Sequence, residues 1–149
     1  MRNALTCLLA LALVSASARA EPPPAGQDPW PSIKATVFGD RAIAETTAPF
    51  ALYAPAQAAD AALVPVSIRL PAQTAVSAKA LTLIIDRNPA PIAAAFEFGD
   101  AFRDRPAIGE RVIATRVRID SFSKLRAVLE TTDGKLHMIA KFVAGAGGC

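Results

Sequence analysis

The run Leu63-Val64-Pro65-Val66-Ser67-Ile68-Arg69-Leu70 decides the fold. Val64, Val66 and Ile68 fall on one side of an extended chain, with Pro65, Ser67 and Arg69 on the other. That period of two belongs to a half-buried β-strand. Pro65 has no N–H to donate to a ladder, so its strand is expected at an edge or at a bulge. The same period recurs on both sides. Residues 50–54 form a short strand stopped by Pro55, and the alanine-rich residues 56–62 make the return. Prolines at Pro49 and Pro55 count against a long helix there. Residues 81–85 form another strand, ended by Asp86-Arg87-Asn88-Pro89, and residues 92–98 follow with Ala94, Phe96 and Phe98 on one face. Residues 101–110 are polar and contain Pro106 and Gly109, so they are expected as a loop. Residues 112–119 alternate again, with Arg116 and Arg118 pointing outward. Residues 125–131 and 135–143 flank Thr132-Asp133-Gly134, a hairpin signal in which glycine supplies the positive φ.

Seven short strands separated by turn signals about every ten residues describe an all-β protein, an immunoglobulin-like antiparallel β-sandwich. The sandwich domain is expected over residues 32–144. Residues 33–48 are ambiguous: Ile33, Val37 and Phe38 fit one helical turn or an irregular strand, and Gly39-Asp40 breaks either. Residues 21–31 hold five prolines and read as an extended linker, with Trp30 packing on the domain edge or marking where order begins.

Residues 1–20 read as a secretory signal peptide of the general export type. Arg2 makes a basic start, residues 5–14 are mostly apolar, and Ala18-Arg19-Ala20 is an A-x-A cleavage site. The apolar run is shorter than the roughly 20 residues a membrane span needs, so no membrane association is expected after cleavage. Losing Arg2 and Arg19 lowers the net charge from +3 to +1, which removes the case for nucleic-acid binding. Of the two cysteines, Cys7 goes with the leader and Cys149 stays. In an oxidising compartment a lone cysteine pairs with another molecule or acts as a free thiol. A periplasmic location is therefore expected.

Three of the eight glycines lie in the last five residues, Gly145-Ala146-Gly147-Gly148-Cys149. Residues 145–149 are expected to form an arm, with Gly145, Gly147 and Gly148 as its flexible joints and Cys149 as a nucleophile at its tip. The basic residue closest in sequence is Lys141, so activation of the thiolate is expected from a partner's active site. A frayed tail carrying a leftover cysteine explains the same composition.

The second half of the chain is similar to the SoxY family of sulfur-compound carriers, and to the SoxYZ-like carriers found beside quinoprotein dehydrogenases. The resemblance is carried by Asn88-Pro89-Ala90-Pro91 leading into Ala93-Ala94-Ala95-Phe96, by Thr115-Arg116-Val117-Arg118-Ile119, by Ala127-Val128-Leu129-Glu130-Thr131 with Asp133-Gly134-Lys135-Leu136, and by Gly147-Gly148-Cys149. A weaker match runs from Pro55-Ala56 through Val64-Pro65-Val66. It implies an immunoglobulin-like domain that pairs with a SoxZ-like domain or subunit. Cys149 would hold thiosulfate-derived or sulfane sulfur covalently while Sox-type cytochrome and hydrolase enzymes act on it. The family tail usually carries two more glycines after the cysteine, and SoxYZ-like fusions continue into a SoxZ-like domain. A fragment of a fusion and a separate partner chain both fit.

The remaining features point to no catalytic site and no cofactor. His137, the one histidine, is expected at the surface or an edge. One histidine and one cysteine do not make a tetrahedral metal site. Asp100, Asp104 and Glu110 mix with Arg103, Arg105 and Arg111, the pattern of a solvated loop. Arg116 and Arg118 either cover the wet side of a sheet or steer an anion. The rival to a carrier is a non-catalytic immunoglobulin-like interaction domain that uses Cys149 for an intermolecular disulfide.

Overall fold

The computed structural model describes residues 26–46, 49–104 and 109–145. It is a β-sandwich, and the seven expected strands are all present. In chain order the elements are α1 (Trp30–Phe38), β1 (Ile43–Glu45), β2 (Ala51–Tyr53), β3 (Gln57–Ala58), β4 (Val64–Leu70), α2 (Ala72–Ala75), β5 (Ala78–Ile85), β6 (Ile92–Glu97), α3 (Asp100–Arg103), β7 (Arg111–Val117), β8 (Ser123–Thr131) and β9 (Leu136–Gly145). One sheet runs β1-β9-β8-β5-β6, with β3 also paired to β9; the other is β2-β4-β7.

The core between the sheets follows from the period of two. Val64, Val66, Ile68 and Leu70 of β4 face Leu81, Leu83 and Ile85 of β5 and Leu125, Ala127 and Leu129 of β8, all buried. Pro65 stands exposed between them. Its strand is the middle one of three, not an edge. The proline is tolerated because β2 ends at Tyr53, opposite Ser67, so Pro65 has a neighbour only on the β7 side, where it meets Arg116.

The larger sheet also buries its second face, where α1 lies. Ile33 of the helix packs on Ile84, Val128, Leu136 and Met138, with Trp30, Val37 and Phe38 at the margin. The expected linker over residues 21–31 is therefore too long: Trp30 and Pro31 form the first turn of a nine-residue helix. A proline in the first turn costs a helix nothing, since that N–H has no partner inside the helix. Residues 1–25, which include the expected signal peptide, lie outside the described residues.

β1 and β3 were not expected, because each is too short to show a period. Both pair in parallel with β9, Ile43 to Glu45 beside Leu136 to Met138, and Gln57 and Ala58 beside Ala144 and Gly145. The alanine-rich return is thus a ladder and not a helix. The expected hairpin joins β8 to β9, with Gly134 at φ 82°. The polar loop after β6 begins with the one-turn helix α3, and residues 105–108 lie outside the described residues. Phe102 of that turn stacks on Phe98 at 4.2 Å, which ties it to the sheet. The mixed charges there pair locally, Arg103 with Asp100 and Glu110 with Arg69.

Beneath α1 a charge pair is fully enclosed. Arg126 Nε and Nη2 donate to the Asp86 carboxylate at 2.8 Å each, and both side chains are 4% exposed. The Trp30 ring lies 4.2 Å from the guanidinium carbon and covers it. Removing one member strands the other charge out of water, whereas removing both does not. Arg126→Met alone should lower stability by about 3–5 kcal/mol, and adding Asp86→Leu should restore most of it. Urea denaturation of the two variants checks this.

Two further carboxylates, Glu130 and Asp133, make stability depend on acid. Glu130 accepts from Lys79 and from Arg41, and these bonds hold its carboxyl below the ordinary 4.5. In the hairpin, Asp133 is lowered further by the Thr131 hydroxyl and by Lys135. Folded values below the unfolded ones contribute stability that is present above about pH 4.5 and lost as pH falls through the folded values. Thermal melts between pH 6 and pH 3 should show a falling Tm, with a shallower fall in Glu130→Gln.

Candidate functional site

Cys149, Gly147 and Gly148 lie outside the described residues; the root of their tail lies within them. Gly145 was expected as a joint of the arm. It is instead the last residue of β9, buried and paired with Ala58 of β3. A Cβ added there would stand 2.9 Å from the carbonyl oxygen of Ile119 and 3.4 Å from the Ala61 Cβ. The glycine is needed for close approach, not for freedom. Residue 145 accordingly belongs to the sandwich. Two backbone bonds secure the seat: Ala144 N–H donates to the Ala56 carbonyl at 2.8 Å, and Ile119 N–H to the Ala61 carbonyl at 2.8 Å. The segment from Ala56 to Ala61 thus ties the end of β9 to the residues just after β7.

Around this seat lie two exposed features. On the outer face of the larger sheet Phe142 stacks on Phe122 at 6.2 Å, and the rings are 58% and 62% exposed. On the smaller sheet there is a shallow cleft of about 550 Å³, lined by Tyr53, Ala54, Pro55, Pro65, Ser67, Ala114 and Arg116 among others. It exists because Pro55 follows so soon after β2, while β4 and β7 continue side by side to Val64 and Val117. Tyr53 forms one wall, with Arg69 at 5.3 Å and Lys141 Nζ at 5.6 Å from its ring centre. Lys141, the basic residue nearest Cys149 in sequence, is therefore held against β2.

The two arginines expected to act as a pair are separated. Arg118 lies beyond β7 and is bound to Asp120. Arg116 is exposed, lines the cleft and has no ion pair or side-chain hydrogen bond among the described residues. His137 is half-buried inside the larger sheet, opposite Leu129 on one side and Ala44 on the other, so it is not at an edge. Tyr53 was not singled out from sequence. The signal was available: it is the last residue before Ala54-Pro55 in a strand whose partner runs on.

These features define an immunoglobulin-like sandwich domain whose final strand delivers a thiol-bearing tail. The chain belongs to the SoxY family, for the model described as sulfur oxidation protein SoxY matches residues 34–149. Among solved structures, the chain is similar to the sulfur carrier protein SoxY from Chlorobium limicola f thiosulfatophilum. The TM-score is 0.58 at 24% identity, over 79% of this chain and 96% of that one. That likeness concerns the fold. A superoxide reductase (neelaredoxin) from Ignicoccus hospitalis aligns at a TM-score of 0.44 and 11% identity, over 64% of this chain and 78% of that one. No curated protein sequence matches the chain.

If Gly145 is a close-packed strand residue, enlarging it must push Ile119 or Ala61 away. Gly145→Ala should cost about 1–3 kcal/mol in stability, the usual range for overpacking. A joint in a free arm would show no change in urea denaturation.

Proposed function

We propose that this protein is a periplasmic sulfur-compound carrier that holds thiosulfate-derived or sulfane sulfur covalently on Cys149. The observation that carries the proposal is that the family match extends through Cys149, while β9 ends only four residues earlier in a seat that admits no side chain. A carrier needs a rigid root and a reactive tip beyond it. With Gly145 fixed, residues 146–149 span at most about 14 Å, enough for the sulfur to enter a partner's active site.

Loading from thiosulfate is an oxidation. The Cys149 thiolate and the outer sulfur of thiosulfate form a new S–S bond, and two electrons pass to a partner Sox-type cytochrome. A partner hydrolase then adds water to the terminal –SO₃⁻ group and releases it as sulfate, leaving the former outer sulfur of thiosulfate on Cys149 as a persulfide. The chain itself supplies the thiol, its placement and a docking body, and no catalytic group. Lys141 Nζ lies 5.6 Å from the Tyr53 ring centre, and activation of the thiol is assigned to the partner. A SoxZ-like domain or subunit is the expected companion, and export through residues 1–20 the route to the periplasm.

Intact-mass analysis of protein taken from cells oxidising thiosulfate tests the proposal. Sulfur-containing adducts should appear on Cys149, be removed by a reductant, and be absent from Cys149→Ser, which should also abolish thiosulfate-dependent respiration. A thiol that stays unmodified under those conditions, or a Cys149→Ser strain that respires normally, would leave only the interaction-domain reading.

A further inference from the structure

We infer that the cleft beside Arg116 is a docking site for the anionic sulfur group carried on Cys149 of the same chain. The inference rests on the carrier reading and adds to it a place where the loaded tail waits between partners. Three observations support it.

The first is shape. β2 stops at Tyr53, opposite Ser67, while β4 and β7 continue with Val66 beside Thr115 and Pro65 beside Arg116, so the floor that starts at Ser67 and Ala114 runs on with no third strand beside it. Tyr53 and Pro55 stand on one side of the floor, with Pro65 and Arg116 beyond it. The floor offers a hydroxyl from Ser67.

The second is charge. Among the described residues no carboxylate lines the cleft. Of the arginines on that part of the surface, Arg69 is bound to Glu110 and Arg118 to Asp120. Arg116 alone is left with its planar set of donors uncommitted among the described residues, and such a set matches a sulfonate's oxygens. Lys141, held on the far side of Tyr53, adds a second positive charge to the same edge of the sandwich.

The third is distance. The Gly145 seat touches the Ile119 carbonyl, and Arg116 is three residues back along that chain, at most about 11 Å away. Residues 146–149 reach about 14 Å. The root and the cleft are therefore at one end of the sandwich. A tethered group also needs little intrinsic affinity, because a short flexible link raises its effective concentration to the millimolar range. Docking of this strength shields the S–S bond from stray thiols and still yields to a partner enzyme.

The test begins by loading the purified protein with tetrathionate. The Cys149 thiolate attacks one of the two central sulfurs, a new S–S bond forms, and thiosulfate leaves with the electron pair of the broken bond. The product is Cys149 bearing an S–SO₃⁻ group, and peptide mapping separates it from any reaction at Cys7. In ¹⁵N NMR spectra, loading should shift the amide signals of Ser67, Ala114 and Arg116. Arg116→Gln should abolish those shifts, Arg116→Lys should retain part of them, and release of the group by a phosphine should be about 3–10-fold faster in Arg116→Gln. Loaded protein whose cleft signals do not move, or move equally in Arg116→Gln, overturns docking and leaves the carrier reading intact. Shifts that grow with protein concentration place the group on a second copy and overturn it as well. So do shifts produced by free thiosulfate and absent from the loaded protein. The carrier reading fails separately, if Cys149 from thiosulfate-oxidising cells bears no sulfur.

Discussion

The structure depends on β9 having neighbours along both of its sides. Over its length it pairs with β8, and on the other side it takes β1 at its beginning and β3 at its end. A last strand left as an open edge would fray toward its C-terminus and offer unpaired backbone to other chains. Here the two short parallel strands cover the two ends of that side, at Leu136 to Met138 and at Ala144 and Gly145. Gly145 is held in β9 by its pairing with Ala58 and by the 2.9 Å approach to Ile119, although glycine opens the run Gly145-Ala146-Gly147-Gly148 in the sequence.

The same sheet is buried on both faces, and this gives α1 its role. A sandwich of this length is enclosed by one inner core, yet the larger sheet carries Ile84, Val128, Leu136 and Met138 on its outer side. The helix covers them and brings Trp30 over Arg126. The buried ion pair with Asp86 is the polar centre of that second layer, and its geometry satisfies the carboxylate from two guanidinium nitrogens. Such a pair contributes more to the correct seating of α1 than to net stability, because desolvation offsets much of its attraction. Beyond the helix, the outer face is open, and there Phe122 and Phe142 remain exposed beside the tail root.

For a carrier this arrangement supplies the rigid part. The body is fixed through Gly145 at the end of β9. The cleft at the same end lies where one strand stops early. Arg116, uncommitted among the described residues, is a weak partner in water, where an exposed pair is worth about 0–1 kcal/mol, as the proposed docking of a transferable group requires.

Much of the fold was legible from the sequence, since a period of two is a property of neighbouring residues. Val64, Val66 and Ile68 announced a buried face, Thr132-Asp133-Gly134 announced the hairpin, and the motifs from Asn88 to Leu136 with Gly147-Gly148-Cys149 announced the family. The tertiary structure alone decided that Pro65 sits in a central strand, that Gly145 is clamped, and that Arg118 is paired with Asp120 while Arg116 has no ion pair among the described residues. It also decided that Asp86 and Arg126, 40 residues apart, share one enclosed bond. The reason is physical. Which face a side chain takes is set by its own segment, but its partner, its strand neighbour and its remaining access to water are set by segments far away in the chain.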